Sequence, residues 1–249
     1  MARTRRNLDQ RIFDNSGRYL DKFELLFLMS VATVALNSLI DIDDPTENLA
    51  SEIGWLIVTL ATGLTFVLAL RSSGMRRRLR TIAEVIVWLL IATVVIITIF
   101  DATGGVAADA ISGARPSLLL VVIAFLSPVV VLRRIFVHTK VDRTTLLGAI
   151  SVYMLLAIAF QYVFLYSAGR ISGDFFNQGF EPTTSYMYFS LVTITTLGYG
   201  DLSPATEVGQ FLATAEALIG QVFLVTVVAR LVSLYGLSRP DTVDEQPAD

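Results

Sequence analysis

The chain has 249 residues, of which 54% are hydrophobic and 16% charged, with a formal net charge of −3. A mean hydropathy of +0.64 excludes an ordinary soluble domain and reads as a membrane protein. Cysteine is absent, which excludes disulfides and thiolate metal sites, and the lone His138 builds no metal site by itself.

Residues 1–22 carry Arg3, Arg5, Arg6, Arg11, Arg18 and Lys22 around a weakly amphipathic run, the pattern of a cytoplasmic or interfacial segment. A basic start followed by apolar residues also suits a signal peptide, but the apolar run begins late and no small-residue cleavage site precedes Asp41. Apolar stretches near the roughly 17 to 25 residues that cross a bilayer run from Phe23 to Ile40, Ile53 to Leu70, Ile82 to Phe100, Pro116 to Val137 and Thr144 to Ala168. A further one runs from about Thr206 to Tyr235, which predicts six spans.

The loops differ in charge. Asp41 to Glu52 holds five carboxylates and no base, whereas Arg71 to Thr81 holds Arg71, Arg76, Arg77, Arg78 and Arg80. With both termini cytoplasmic, seventeen Lys and Arg fall inside and two, Arg115 and Arg170, outside, the asymmetry of the positive-inside rule. This predicts a multi-pass protein of the cell (inner or plasma) membrane with both termini cytoplasmic.

The fourth span reads Pro-Ser-Leu-Leu-Leu-Val-Val-Ile-Ala-Phe-Leu-Ser-Pro-Val-Val-Val-Leu from Pro116 to Leu132, with Arg133 and Arg134 only at its inner edge, where they are expected to reach lipid headgroups. Voltage sensing needs several charges moving through the field, each worth about 2.3 kcal/mol per 100 mV. This span is therefore expected to respond only weakly to membrane voltage. Pro128 either kinks this helix toward the linker at residues 138–143 or is simply one of the prolines common in membrane helices. Glu84 near the inner end of the third span reads as a helix N-terminal charge facing the interface.

From Pro182 to Thr195 a short helix is predicted, with Pro at its first position where the missing N–H costs nothing. Thr196-Leu197-Gly198-Tyr199-Gly200-Asp201 follows. Glycine visits φ > 0 without steric cost, so Gly198 and Gly200, two apart, let successive carbonyls turn to one side. Thr196 adds a hydroxyl at the inner end. Non-helical backbone at membrane depth is tolerated where protein or water satisfies it, as in a re-entrant pore loop.

In this order of outer helix, pore helix, Gly-rich descent and inner helix, residues 144–237 resemble the potassium channel family. The resemblance implies an all-α membrane fold: a four-helix transmembrane bundle (23–137), a cytoplasmic linker (138–143), and a two-helix pore domain (144–237) with a re-entrant pore helix and filter. It implies K⁺ binding at Thr196, Leu197, Gly198, Tyr199 and Gly200, through rings of oxygens that replace the ion's hydration shell when four subunits close around one axis. Leu197 stands where the common filter has Val, but the ligand there is a carbonyl. The expected partners are three further copies of the chain and the lipid bilayer, with no nucleic acid, no cofactor beyond permeant K⁺, and no enzymatic role.

The resemblance also assigns supporting residues. Tyr188 and Phe189 stand where family aromatics, often Trp, pack around the filter tyrosine, and the Tyr188 hydroxyl is placed to donate to Asp201. Thr195 precedes the filter on the pore helix. Val192 occupies a position where some relatives carry a Glu against the filter Asp.

In the inner helix, Gly220 falls where the family often has a hinge glycine; close helix packing through a small residue is the other reading. Helical spacing puts Gln221, Leu224, Val228 and Val232 on one face, assigned to the cavity and inner gate. Glu216 is a carboxylate at membrane depth, costly unless paired, hydrated or protonated, and is either functional or a structural partner of Ser190, Thr193 or Thr195. Residues 238–249 are polar and acidic and read as a disordered tail, too short for an appended regulatory domain of about 100 residues.

Two alternatives stay open: a non-selective cation channel, and a transporter or membrane receptor with a channel-like hairpin. A transporter is expected to show repeated halves with interrupted helices near the midplane.

Overall fold

The computed structural model describes residues 23–40, 49–72, 77–102, 118–137, 143–171 and 173–237. The N-terminal basic segment, the acidic loop, the region of Arg115, the linker with His138 and the C-terminal tail lie outside these residues. Among the described residues every regular element is helical, beside two isolated bridges that Phe176 makes with Gly179 and Pro204.

The helices are α1 (Phe23–Leu39), α2 (Leu49–Ser72), α3 (Arg77–Ala102), α4 (Leu118–Val137), α5 (Arg143–Ala168), α6 (Thr183–Ile194) and α7 (Glu207–Phe223). A π-helical turn over Leu224–Val228 then leads into α8 (Ala229–Leu237). Leu118–Phe136, Arg143–Ala168 and Glu207–Ser233 are long and apolar enough to cross a membrane, and Phe23–Leu39 and Leu56–Ser72 are shorter apolar helices. The protein is an all-α membrane protein.

Side-chain polarity is distributed as a bilayer demands. Ser30, Thr33 and Asn37 recur every three or four residues along α1 and are buried, whereas Leu28 and Leu39 on the same helix are 63% and 81% exposed. With apolar solvent outside, the cheap place for a hydroxyl or amide is against another helix. Thr33 Oγ1 lies 2.8 Å from Thr65 Oγ1 of α2, and Gln161 Nε2 of α5 donates to Asn37 Oδ1 at 3.1 Å. This layer fixes α1 between α2 and α5. Phe23 packs beside Gly148 of α5, and Gly63 of α2 lets Ile91 and Val87 of α3 approach.

Helix α2 also packs on α4, and α4 packs along α5, where Phe125 meets Phe160 edge-on with ring centroids 5.1 Å apart. The expectation that Arg134 reaches lipid headgroups is corrected here. Arg134 Nη1 donates to the Ser72 carbonyl at 2.6 Å and its guanidinium lies 5.7 Å from the Phe23 ring centroid. The end of α4 is thus tied to the end of α2 and the start of α1. Glu84 likewise does more than face the interface: it takes Arg71 at 3.3 Å and Arg80 at 3.4 Å, linking α2 to α3.

Candidate ion pathway

The pore-helix candidate forms as α6, but Pro182 is its N-cap, with φ −65° and ψ 163°, and not its first helical residue. Its carbonyl accepts from Ser185 N–H at 2.9 Å, and Ser185 Oγ donates to Glu181 at 2.9 Å. A second core sits beneath α6, built from Phe160, Phe164, Phe175, Phe176, Tyr186 and Phe189. Phe189 is buried in it, its ring 5.1 Å from Phe164 and 5.2 Å from Phe176. It therefore supports α6 from behind.

The end of α6 hands its carbonyls to the segment that follows. Thr196 N–H donates to Thr193 O at 2.9 Å, and Leu197 and Gly198 N–H both reach Val192 O, at 2.9 and 3.3 Å. Thr195 stays with the helix, its Oγ1 donating to Leu191 O at 2.6 Å. From Thr196 the backbone alternates in hand. Thr196, Gly198 and Gly200 have φ of +57°, +55° and +79°, while Leu197 and Tyr199 are not among the residues with positive φ. Alternation of this kind turns successive peptide carbonyls to the same side instead of to opposite sides as in a strand. Residues 195 to 201 are exposed in the single chain, Leu197 by 56% and Tyr199 by 68%.

Thr196 is the one residue in this group whose conformation sequence reasoning missed. A β-branched side chain at positive φ is a real outlier, and among the described residues it is the only non-glycine there. Side chains hold it: Thr196 Oγ1 donates to Thr195 O at 2.7 Å and accepts from Gln221 Nε2 at 2.9 Å. That second bond joins the inner helix to the inner end of the Gly-rich segment.

The outer end is tethered separately. Tyr188 OH donates to Asp201 Oδ2 at 2.6 Å, while Asp201 Oδ1 accepts from Leu202 N–H at 3.1 Å. Helix α6 is not one of the spanning helices, and the Asp201 hydrogen bond pushes the Tyr188 phenol up to about 12 from its ordinary 10.0. A raised phenol pKa means that the tether is complete below pH 10 and is lost as pH rises through about 12. Behind the outer end, the stretch 175–178 is knitted to 203–205: Asn177 N–H to Ser203 O at 2.9 Å, Ala205 N–H to Phe175 O at 2.8 Å, and Ser203 N–H to Gln178 Oε1 at 3.1 Å. These partners lie some 25 residues apart and carry no local motif, so the sequence did not single them out.

Thr206 caps the inner helix, accepting from Gly209 N–H at 3.1 Å. Gly220 is packed tightly: a Cβ there would lie 2.6 Å from the Ile194 carbonyl oxygen at the end of α6. Tyr153 of α5 donates to the same oxygen at 2.8 Å, and its ring stacks on Phe223 at 5.9 Å. Glu216, one turn before Gly220, meets Ser190, one turn before Ile194.

The single face drawn through Gln221, Leu224, Val228 and Val232 does not persist as drawn. The π turn adds a residue to the helix over Leu224–Val228, which rotates everything beyond it. Gln221, Leu224 and Val232 remain exposed, whereas Val228 is half-buried against the main core.

The chain is similar to known proteins over this same region. Residues 150–236 match the Ion_trans_2 family, described as an ion channel. Over 89 residues the chain is 35% identical to Protein LctB of Bacillus caldotenax and 33% identical to Protein LctB of Geobacillus stearothermophilus. In each case the alignment covers 36% of this chain and 63% of the relative, so the chain spans somewhat less than two thirds of the relatives it matches. No solved structure matches the chain. The matched stretch begins within α5 and ends within α8, which takes in α6, the alternating segment and α7.

Proposed function

We propose that the protein is a K⁺-selective channel in which four copies surround one axis and Thr196 to Gly200 of each line the narrow path. The observation that carries this reading is the alternation of backbone hand at Thr196, Gly198 and Gly200. Four such segments facing an axis present stacked rings of carbonyl oxygens, with the Thr196 hydroxyl at the inner end. A K⁺ ion passing through exchanges its water shell for these oxygens, ring by ring, and repulsion between neighbouring ions moves it on. Asp201 and Tyr188 hold the outer end, Val192 O and Gln221 the inner one. K⁺ is the transported ion, and the chemistry needs no cofactor and no catalytic side chain.

In this reading the chain crosses the cell membrane six times with both termini in the cytoplasm, and α1 to α4 form a bundle beside the pore domain. That bundle is a scaffold more than a voltage sensor. Helix α4 has no charge within Leu118–Leu132, and Arg134 at its inner end is engaged by Ser72 and Phe23. Steep gating in a tetramer takes roughly three or four moving charges per subunit. Single-channel recording from the purified full chain in planar bilayers, stepped across voltage, tests both parts. K⁺ currents whose open probability changes only shallowly with voltage are expected; a steep sigmoid, flattened by Arg133→Gln with Arg134→Gln, contradicts the scaffold role.

A further inference from the structure

Glu216 is fully buried in α7, and among the described residues it makes no ion pair. Its Oε1 lies 2.5 Å from Ser190 Oγ of α6, and Ser190 Oγ lies 2.8 Å from the carbonyl oxygen of Ala157 in α5. Its other oxygen, Oε2, is buried without a hydrogen-bond partner. Tyr153 of α5 lies close enough to feel its charge, and its hydroxyl is already directed to Ile194 O at 2.8 Å.

Counting protons decides between two arrangements. A serine hydroxyl has one proton to give, and two oxygens sit within hydrogen-bond distance of it. If Ser190 donates to an ionised Glu216, the Ala157 carbonyl faces a hydroxyl lone pair at 2.8 Å. The unpartnered Oε2 then also shares a full negative charge away from water, the most costly state for a buried acid. If Glu216 carries the proton on Oε1, both faults disappear. The acid donates to Ser190, Ser190 donates to Ala157 O, and Oε2 is a neutral carbonyl oxygen.

We infer that Glu216 is held as a neutral carboxylic acid whose proton starts a directed hydrogen-bond chain from inner helix to pore helix to outer helix. It is a positioning residue. It touches no permeating ion but pins Ser190, whose helix supplies Val192 O to the alternating segment at Leu197 and Gly198. One turn on, Gly220 packs directly against the Ile194 backbone. Glu216/Gly220 on α7 and Ser190/Ile194 on α6 thus form one seam, with a hydrogen bond at one end and backbone contact at the other. The effect on permeation rests on the proposed channel function; the state of the proton does not.

The test uses the full chain, as wild type and as the variants Glu216→Gln, Glu216→Leu and Ser190→Ala. Infrared spectra at neutral pH are expected to show a protonated-carboxyl carbonyl band that Glu216→Gln lacks and that shifts in Ser190→Ala. In bilayers, Glu216→Gln, which still donates from its amide, is expected to keep the wild-type K⁺ over Na⁺ ratio, while Glu216→Leu lowers it by about tenfold. A carboxylate band assigned to Glu216, or a Glu216→Gln variant that fails to assemble or loses selectivity as Glu216→Leu does, overturns the inference. If wild type fails to discriminate K⁺ from Na⁺, the K⁺-selective reading fails by itself, and the infrared band still decides where the proton is.

Discussion

Gly198 and Thr196 occupy the same left-handed region of backbone space, with φ of +55° and +57°, for different reasons. Gly198 goes there freely, and a Cβ added to it would meet nothing within 4 Å in the single chain. Within one chain the penalty for Gly198→Ala is therefore backbone strain of about 1–2 kcal/mol, not a clash. The variant is expected to assemble but to lower the K⁺ over Na⁺ permeability ratio by about tenfold or more, because the relaxed backbone swings a carbonyl out of line. An unchanged ratio in Gly198→Ala, measured beside wild type, goes against the assignment. The glycine half of this pattern was readable from residue types alone. The threonine half was not, because its strain is held by Gln221, a hydrogen-bond partner that only the fold brings within 2.9 Å. The same holds for Tyr153, an ordinary aromatic of an apolar helix until its hydroxyl is found on the Ile194 carbonyl.

At the scale of elements, apolar runs and their flanking charges were enough to find the long helices, since a bilayer leaves few other solutions for such stretches, while the short α6 was found from Pro182 and the Gly-rich segment after it. Details that depend on packing escaped. Pro182 sits one position earlier relative to α6 than its ring chemistry suggested. The π turn at Leu224–Val228 defeats any reading that assumes 3.6 residues per turn throughout the inner helix. Arg134 found a carbonyl and a ring where lipid was expected.

Gly220 illustrates how the competing magnitudes resolve. Replacing a helical glycine by alanine gains about 1 kcal/mol of helix propensity, but the new Cβ would sit 2.6 Å from a backbone oxygen that Tyr153 already holds at 2.8 Å. Overpacking of this kind costs about 1–3 kcal/mol, and the carbonyl at the end of α6 has little room to yield. Gly220→Ala is expected to lower the thermal unfolding midpoint of the purified protein and to reduce conduction. A midpoint equal to or above that of wild type shows that propensity wins and that the contact is softer than its distance implies.

The described helices turn polar side chains inward. Ser30, Thr33, Asn37, Gln161, Ser190 and Glu216 are buried, while Leu28, Phe211 and Val225 stand exposed. Composition announced this, because a chain so poor in charge has little else with which to cover its surface. In the proposed ring, the exposed apolar surface of α7 and the open flank of residues 195 to 201 would gain partners. Chemical crosslinking in mild detergent is expected to give a ladder ending at four subunits; a ladder ending at two contradicts the closed ring. Selectivity is the property from which the remaining expectations follow, and it has a direct electrical measure. With K⁺ on one side of a bilayer and an equal concentration of Na⁺ on the other, the current through the purified wild-type chain should reverse at a potential strongly displaced toward that for K⁺ alone. Reversal at zero potential would mean that the segment from Thr196 to Gly200 does not distinguish the two ions.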